Sequence, residues 1–399
     1  MLSVEEALAL VEEHATPLAP RHVPLDEVLG LVLAEDIKSD INSPPHDKAM
    51  MDGYAVRSAD REPERRIVEE IAAGAVPQCT VTPGGASRIM TGAPLPDGAD
   101  AVVPVELTEL INDTTVRLQQ VDPSRGQNVM LLGTSMRIGD VVLRQGAVVR
   151  PIEIAILAET GHDSVLVSPR PRLAILPTGN ELVDVDEKPA SGQIRNSNGP
   201  MLFAAGVRAQ ADSTELSFAR DTREELSCQI ERGLTADIFI LSGGVSAGKF
   251  DLVPQVLAEM GVEQVFHKIA LRPGKPLWFG VKKDDERTVL VFGLPGNPVS
   301  SLVCFELFVR PAIAALAGRG FSQLTAVQAR LKQAYDHAGG RAACLPALLS
   351  GTGTELTVEV LHWHGSADLA TLAGANALVR LPAEKRLFEP EATLEVLPI

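Results

Sequence analysis

Asp237-Ile-Phe-Ile-Leu-Ser-Gly-Gly-Val-Ser-Ala-Gly-Lys-Phe-Asp251 is an apolar strand that runs straight into a glycine-rich loop. Glycines at a strand end let backbone N–H groups approach an anion closely, and a helix that starts nearby adds the positive end of its dipole. Two later stretches extend the theme. Leu271-Arg-Pro-Gly-Lys-Pro276 sets two cations around a Pro-Gly turn, and Leu294-Pro-Gly-Asn-Pro-Val-Ser300 closes a second apolar strand and opens a helix. Together these stretches point to a phosphorylated small molecule.

Working outward, strand, loop and helix alternate from Arg172 onward. Leu173–Leu176 leads to Pro177-Thr-Gly-Asn-Glu181, Ile238–Leu241 to Ser242-Gly-Gly244, and Val289–Phe292 to Gly293-Leu-Pro-Gly296. Helical spacing predicts helices near 199–207, 222–234 and 252–260, which makes this part a doubly wound α/β domain. Ligands of such sheets bind beyond the carboxyl ends of the strands, where all three glycine loops fall. Asn297 and Pro298 read as N-cap and first position of an apolar helix through about residue 310.

The flanks read differently. Ser3-Val-Glu-Glu6 is a capping box, with Val4, Ala7, Leu8 and Val11 following at helical spacing. Leu25 to Ala34 reads as a second helix, 43–60 as loop-rich, and 67–149 as β-rich, with Gly and Pro between short β-branched runs. Pro151 opens a helix that Gly161 ends. From about 320 short β-runs return, as in Leu356–Leu361 and Ala377–Leu381. The expected fold is multidomain α/β plus β. A helical or extended N-terminal region spans 1–42 and 140–170, a β-rich inserted domain 43–139, the α/β domain 171–319 and a small C-terminal β domain 320–399.

Composition bounds the function. The 399-residue chain is too long for one core. Its net charge of −16 opposes nucleic-acid or anionic-membrane binding, so a phosphate site needs local cations or a divalent metal. No run is expected to approach the ~20 apolar residues of a membrane span, and the acidic start Met1-Leu-Ser-Val-Glu-Glu6 is unlike a secretory signal. Cys79, Cys228, Cys304 and Cys344 are scattered without a Cys-x-x-Cys pair, which suits a reducing cytosol.

Each candidate residue has a plainer reading. Ser242, Gly243, Gly244 and Ser246 form an anion-binding loop or simply a tight strand-to-helix turn. Asp251 holds a divalent cation through hard oxygens or caps the following helix. Glu181 follows a strand-end glycine with no capping role, which favours metal or substrate. Asp221 adjoins Thr222-Arg-Glu-Glu225, a capping box. Lys268, Arg272 and Lys275 are three cations around one turn, an oxyanion site or a solvated face. His362-Trp-His364 has metal-like spacing on a strand but no third ligand, and reads as structural.

Taken together these strings resemble the molybdopterin molybdenumtransferase family, the molybdenum insertases, which includes the C-terminal domain of gephyrin. The resemblance covers nearly the whole chain, in order. It runs through Val28–Ile37, Pro44-Pro-His-Asp47 with Met51-Asp-Gly-Tyr-Ala55, Ile89-Met-Thr-Gly-Ala-Pro94 with Gly98–Val103, and Gly126-Gln-Asn128. It continues through Pro177–Glu181, Ser242–Asp251, Arg272–Pro276 and Leu294–Ser300. It implies a cytoplasmic homodimer whose α/β domain resembles the molybdopterin adenylyltransferase fold. The implied reaction takes adenylated molybdopterin and molybdate, places molybdenum on the dithiolene and cleaves the phosphoanhydride to release AMP, with Mg2+ or another divalent cation. The ligand supplies its own soft sulfurs, so no cysteine ligand is needed. Transient contact with the adenylyltransferase and with molybdoenzymes is also implied, and neither nucleic acid nor membrane.

Carried over by position, Asp52 and Thr91 line the site from the β-rich domain. Glu181, Asp221 and Asp251 match carboxylates acting on metal and substrate, with Glu181 and Asp251 as metal ligands. Lys268, Arg272 and Lys275 match the basic run for molybdate and phosphate, and Pro295 and Pro298 the prolines shaping the adjacent loop. The chain departs from the family pattern at His46, where an aromatic is usual, at Ala49-Met50 for Ser-Ala, at Gly133-Thr-Ser135 for Gly-Glu-Asp, at Asn180 for Asp and at Arg272 for Lys. The serine-rich run near Gly365–Thr371 is also thinned. Two alternatives stay open: a nucleotide enzyme like the adenylyltransferase, and a non-catalytic molybdopterin-binding paralog, which the missing carboxylate at Ser135 favours.

Overall fold

The computed structural model describes residues 1–245, 252–284, 287–321 and 325–399. The chain forms two compact units, one of Met1–His22, Gly30–Ala34 and Leu166–Ile399, the other of Val23–Leu29 and Glu35–Val165.

The larger unit is built on a six-stranded sheet whose spatial order is Asp212–Glu215, Arg172–Pro177, Ile238–Ser242, Thr288–Leu294, Trp278–Lys283 and Glu263–His267. The first four strands are parallel, and Trp278–Lys283 runs against them. Glu263–His267 pairs antiparallel with Trp278–Lys283, so its carboxyl end lies at the same edge as those of the parallel strands. Successive side chains of a strand point to opposite faces, and here both faces are covered. Leu173, Ile175, Ile238, Ile240, Leu290 and Phe292 pack with the helices Val4–His14, Asn198–Arg208 and Pro298–Leu316. Ala174, Leu176, Phe239, Leu241, Val289 and Val291 pack with Arg223–Gly233 and Val253–Glu259. Each such large apolar side chain contributes roughly 1.5–3 kcal/mol by leaving water. This is the doubly wound arrangement expected from the alternation of strand, loop and helix.

The N-terminal helix carries its capping box as expected, Ser3 Oγ accepting from the Glu6 N–H and the Glu6 carboxylate from the Ser3 N–H. The carboxy-terminal strands Val327–Leu331, Ala342–Ser350, Thr357–Val360, Ala377–Leu381 and Thr393–Pro398 close on themselves, because Ala342–Ser350 pairs with both neighbours of the ring. The smaller unit holds a second six-stranded sheet, in the order Ala101–Pro104, Gly53–Val56, Gly85–Ile89, Glu64–Ile71, Thr115–Leu118 and Thr108–Asn112. Its helix Pro151–Glu159 ends before Gly161, at φ +74°.

Two expectations are corrected. Residues 25–34 are not a helix: Gly30 turns the chain at φ +79°, and Val32–Leu33 pairs antiparallel with Val167 and Ser168. Their apolar run fills a sheet rather than a helix face. Segment 43–60 is loop-rich as expected, around the short strands Lys48–Ala49 and Gly53–Val56, the latter bonded on both sides within its sheet. The turn-forming pair Asp52-Gly53 masks the apolar run after it. The helix starting at Pro298 continues to Leu316 through a π turn at Phe305–Val309, with Pro311 placed just after that turn. At 19 residues and a mean hydropathy of 1.7 it is long and apolar enough to cross a bilayer, yet 83% of it is buried inside the protein. It covers one face of the sheet.

Candidate functional site

Parallel pairing sets Pro177 beside Ser242 and Ser242 beside Leu294, so the loops that follow leave the sheet at one level. They are tied across. The Thr178 N–H donates to the Ser242 carbonyl at 2.9 Å, and the Gly243 N–H to the Leu294 carbonyl at 3.1 Å. Gly243 and Gly244 hold φ of +100° and +63°. A methyl group on Gly243 would sit 2.4 Å from the Thr178 carbonyl oxygen, and one on Gly244 2.7 Å from Val253 Cγ2. Both the conformation and the space require glycine here. Pro295 is buried, its carbonyl accepting the Ser301 hydroxyl, and Pro298 starts the long helix. Asn297 sits at the N-cap without a side-chain bond to that helix; the Val299 N–H instead reaches the Ser366 carbonyl at 3.1 Å.

Sequence reasoning missed Asn198 in this cluster. Its Nδ2 donates to Ser242 Oγ at 2.8 Å and to the Gly296 carbonyl at 2.7 Å. Asn198 Oδ1 and Thr178 Oγ1 are buried without hydrogen-bond partners among the described residues. Buried polar atoms left unpaired each cost about 1–3 kcal/mol, which makes this junction poor as packing. Nearby, Asn196 bonds Glu215 at 3.0 Å, and burial pushes the Glu215 carboxyl above its ordinary range. The string Asn196-Ser-Asn-Gly199 before a helix was the available signal.

The cations hang from the same edge. His267 pairs with Trp278 and Trp278 with Gly293, one residue before the end of the neighbouring strand. His267 Nε2 also bonds the Val245 carbonyl at 3.1 Å. The chain then folds back, with the Lys268 N–H on the Leu277 carbonyl at 2.8 Å and the Ile269 N–H on the Lys275 carbonyl at 3.0 Å. Lys268 sits at φ +73°, an uncommon conformation for a residue with a Cβ. Leu271–Arg272 joins the C-terminal sheet beside Ala342 and Ala343. Arg272 and Lys275 are exposed, and no carboxylate ion-pairs with Lys268, Arg272 or Lys275 among the described residues. Burial raises the Tyr335 hydroxyl pKa, with the nearby Arg272 charge opposing it.

Glu181 is exposed and folds back over Gly179, where an added methyl would lie 2.6 Å from its Oε2. The Asp221 N–H donates to Asn180 Oδ1 at 3.1 Å, which brings the second carboxylate to the same loop. Thr222 caps the next helix through the Glu225 N–H. The Glu225 carboxylate bonds the Arg220 N–H, so only half of the expected capping box forms. Ser246 and Asp251 lie outside the described residues. Among the described residues no three His, Cys, Asp or Glu side chains gather to hold a metal. Glu181 and Asp221 nevertheless offer hard oxygens that suit a divalent cation able to take its other oxygens from phosphate and water. His364 Nδ1 faces Asp368 Oδ2 at 3.1 Å, and Asp368 caps the short helix Leu369–Ala373.

In the smaller unit Asp52 and Thr91 meet. Asp52 Oδ1 accepts both the Thr91 N–H and its hydroxyl at 2.7 Å, and these bonds, the backbone one foremost, hold the Asp52 pKa below its ordinary value. Both residues are exposed. Ser135 is exposed too, its N–H bonding the Ser43 carbonyl at 2.8 Å.

Three family models match in succession: the MoeA N-terminal region (domain I and II) over residues 2–161, a probable molybdopterin binding domain over 174–315, and the MoeA C-terminal region (domain IV) over 328–399. A molybdopterin molybdenumtransferase of Staphylococcus aureus is 34% identical over 99% of this chain and 95% of its own length. That of Staphylococcus epidermidis is 32% identical over the same shares. Among solved structures, a molybdopterin biosynthesis MoeA protein from Pyrococcus horikoshii superposes with a TM-score of 0.84 at 31% identity, covering 100% of this chain and 99% of its own.

Proposed function

Because the chain belongs to the molybdopterin molybdenumtransferase family, we propose that it completes the molybdenum cofactor: it takes adenylated molybdopterin and molybdate, places molybdenum on the dithiolene and releases AMP. The observation that carries this reading is the carboxyl edge of the α/β sheet, where two strand-end glycine loops share one level with a basic hairpin that ion-pairs with no carboxylate among the described residues. The backbone N–H of Gly244 would approach the phosphates, and Lys268, Arg272 and Lys275 would take up negative charge on phosphate and molybdate. An oxygen of water or molybdate attacks phosphorus, the anhydride P–O bond breaks, and AMP leaves. Glu181 and Asp221, with Asp251, would hold a divalent cation, Mg2+ by this reading, which when bound offsets charge on the anhydride. Asp52, kept anionic by Thr91, is proposed as the site carboxylate of the β-rich domain. The same reading extends to a cytoplasmic homodimer organised in the four regions 1–42 with 140–170, 43–139, 171–319 and 320–399, with transient contact to the adenylyltransferase and molybdoenzymes.

The test is AMP release from adenylated molybdopterin with magnesium, with and without molybdate, followed by reconstitution of an apo-molybdoenzyme. Molybdate-dependent release together with reconstitution supports the insertase. Tight binding without release would favour a binding paralog, to which Ser135 points, and Ser135→Asp is then the first reversion to make.

A further inference from the structure

We infer that Asn198 is a positioning residue for anhydride cleavage, acting through the Ser242 hydroxyl and the Gly296 loop; the inference rests on the reaction proposed above. The amide orientation follows from chemistry. The Gly296 carbonyl only accepts, so the group facing it at 2.7 Å is the NH2 of Asn198. The same NH2 reaches Ser242 Oγ at 2.8 Å, so Ser242 accepts from Asn198 and its own proton is left to donate elsewhere. A serine at the start of a glycine loop is thereby set as a donor toward an oxyanion. The second bond of that NH2 fixes the Gly296 loop, close enough that a methyl on Gly296 would lie 3.7 Å from Gly243 Cα.

Helix capping does not explain Asn198. Asn196 Oδ1 takes the Gly199 N–H at 2.9 Å, and Asn198 is itself the first helical residue. Stability does not explain it either, because the arrangement leaves Asn198 Oδ1 and the neighbouring Thr178 Oγ1 buried and unpaired among the described residues. Local rules broken in this way gather where a site is held ready for a ligand.

The experiment compares steady-state AMP release by wild type, Asn198→Ala and Asn198→Asp, with thermal midpoints measured alongside. Asn198→Ala is expected to lower kcat about tenfold or more while KM changes less than about threefold, since misplacing groups around bound substrate slows chemistry rather than binding. Asn198→Asp nearly preserves shape, so a purely structural role predicts that it outperforms alanine. Positioning predicts the opposite: an aspartate carboxylate turns the Ser242 proton toward itself and repels the Gly296 carbonyl, giving a loss of about 100-fold that shrinks as pH falls and the carboxyl protonates. An aspartate variant as active as wild type, or an alanine variant with unchanged kcat, overturns the inference. If wild type releases no AMP, the proposed function has failed on its own. Amide exchange in the ligand-free chain then decides for Asn198: the Gly243 N–H, bonded to the Leu294 carbonyl at 3.1 Å, should exchange about tenfold faster in Asn198→Ala, and an unchanged rate refutes the loop tie.

Discussion

The two ends of one sheet obey opposite rules. At the amino end, Arg172 and Asp237 pair with each other: the Arg172 N–H and guanidinium both donate to the Asp237 carboxylate, the latter at 2.8 Å, and the Asp237 N–H returns a bond to the Arg172 carbonyl. At the carboxyl end, among the described residues, Thr178 Oγ1 and Asn198 Oδ1 have no partners, two glycines hold left-handed φ, and three cations lack carboxylates. Both ends terminate the same buried strands, so burial alone cannot account for the difference. One end is finished as structure, and the other is the end that the proposed reaction assigns to an anion.

Substitutions can break that contrast, and the largest effect is expected at Gly243. A valine there meets the Thr178 carbonyl within 2.4 Å and is strained by φ +100°, so Gly243→Val should reduce AMP release by about 1000-fold or more. Retained turnover in a folded variant would remove the glycine loop from the site. Next, Lys275→Ala should raise the molybdate concentration for half-maximal release about tenfold, the worth of one charge-assisted contact, with its thermal midpoint unmoved; titration of the rate with molybdate decides. At the amino end, Arg172→Ala should cost about 1 kcal/mol of stability, kept small because the side chain is 56% exposed and the Arg172 N–H survives. Denaturant midpoints read that loss, and kcat should stay put.

The smallest effect concerns Asp52. Its folded pKa is depressed by Thr91, so the stabilisation from those bonds is full above the ordinary carboxylate range near pH 4 and disappears as pH falls through the depressed value. Thr91→Ala removes the hydroxyl bond but keeps the backbone one. The Asp52 titration followed by NMR should move only part of the way back, and no movement would show that the hydroxyl does not hold the charge.

The same asymmetry explains what was legible in the sequence. Apolar strands ending in glycine announce themselves, because buried parallel strands need continuous apolar runs and a phosphate loop needs residues without a Cβ. The sheet, its helices and the loops at Gly243 and Gly296 were readable for that reason. Asn198 was not, since its importance lies in reaching Ser242 and Gly296, which are 44 and 98 residues away in the chain. Residues 25–34 misled because their apolar spacing also fits a helix, and only Gly30 and the pairing with Val167 and Ser168 decide for sheet. Asp52 and Thr91 were named through the resemblance alone, because they lie 39 residues apart in the chain and only folding sets them 2.7 Å from each other.

The most direct measurement is the initial rate of molybdate-dependent AMP release from adenylated molybdopterin, taken side by side for wild type, Lys275→Ala and Arg172→Ala at subsaturating molybdate. A carboxyl-edge site predicts a clear fall for Lys275→Ala and the wild-type rate for Arg172→Ala. Equal rates for all three, or a loss confined to Arg172→Ala, would contradict it.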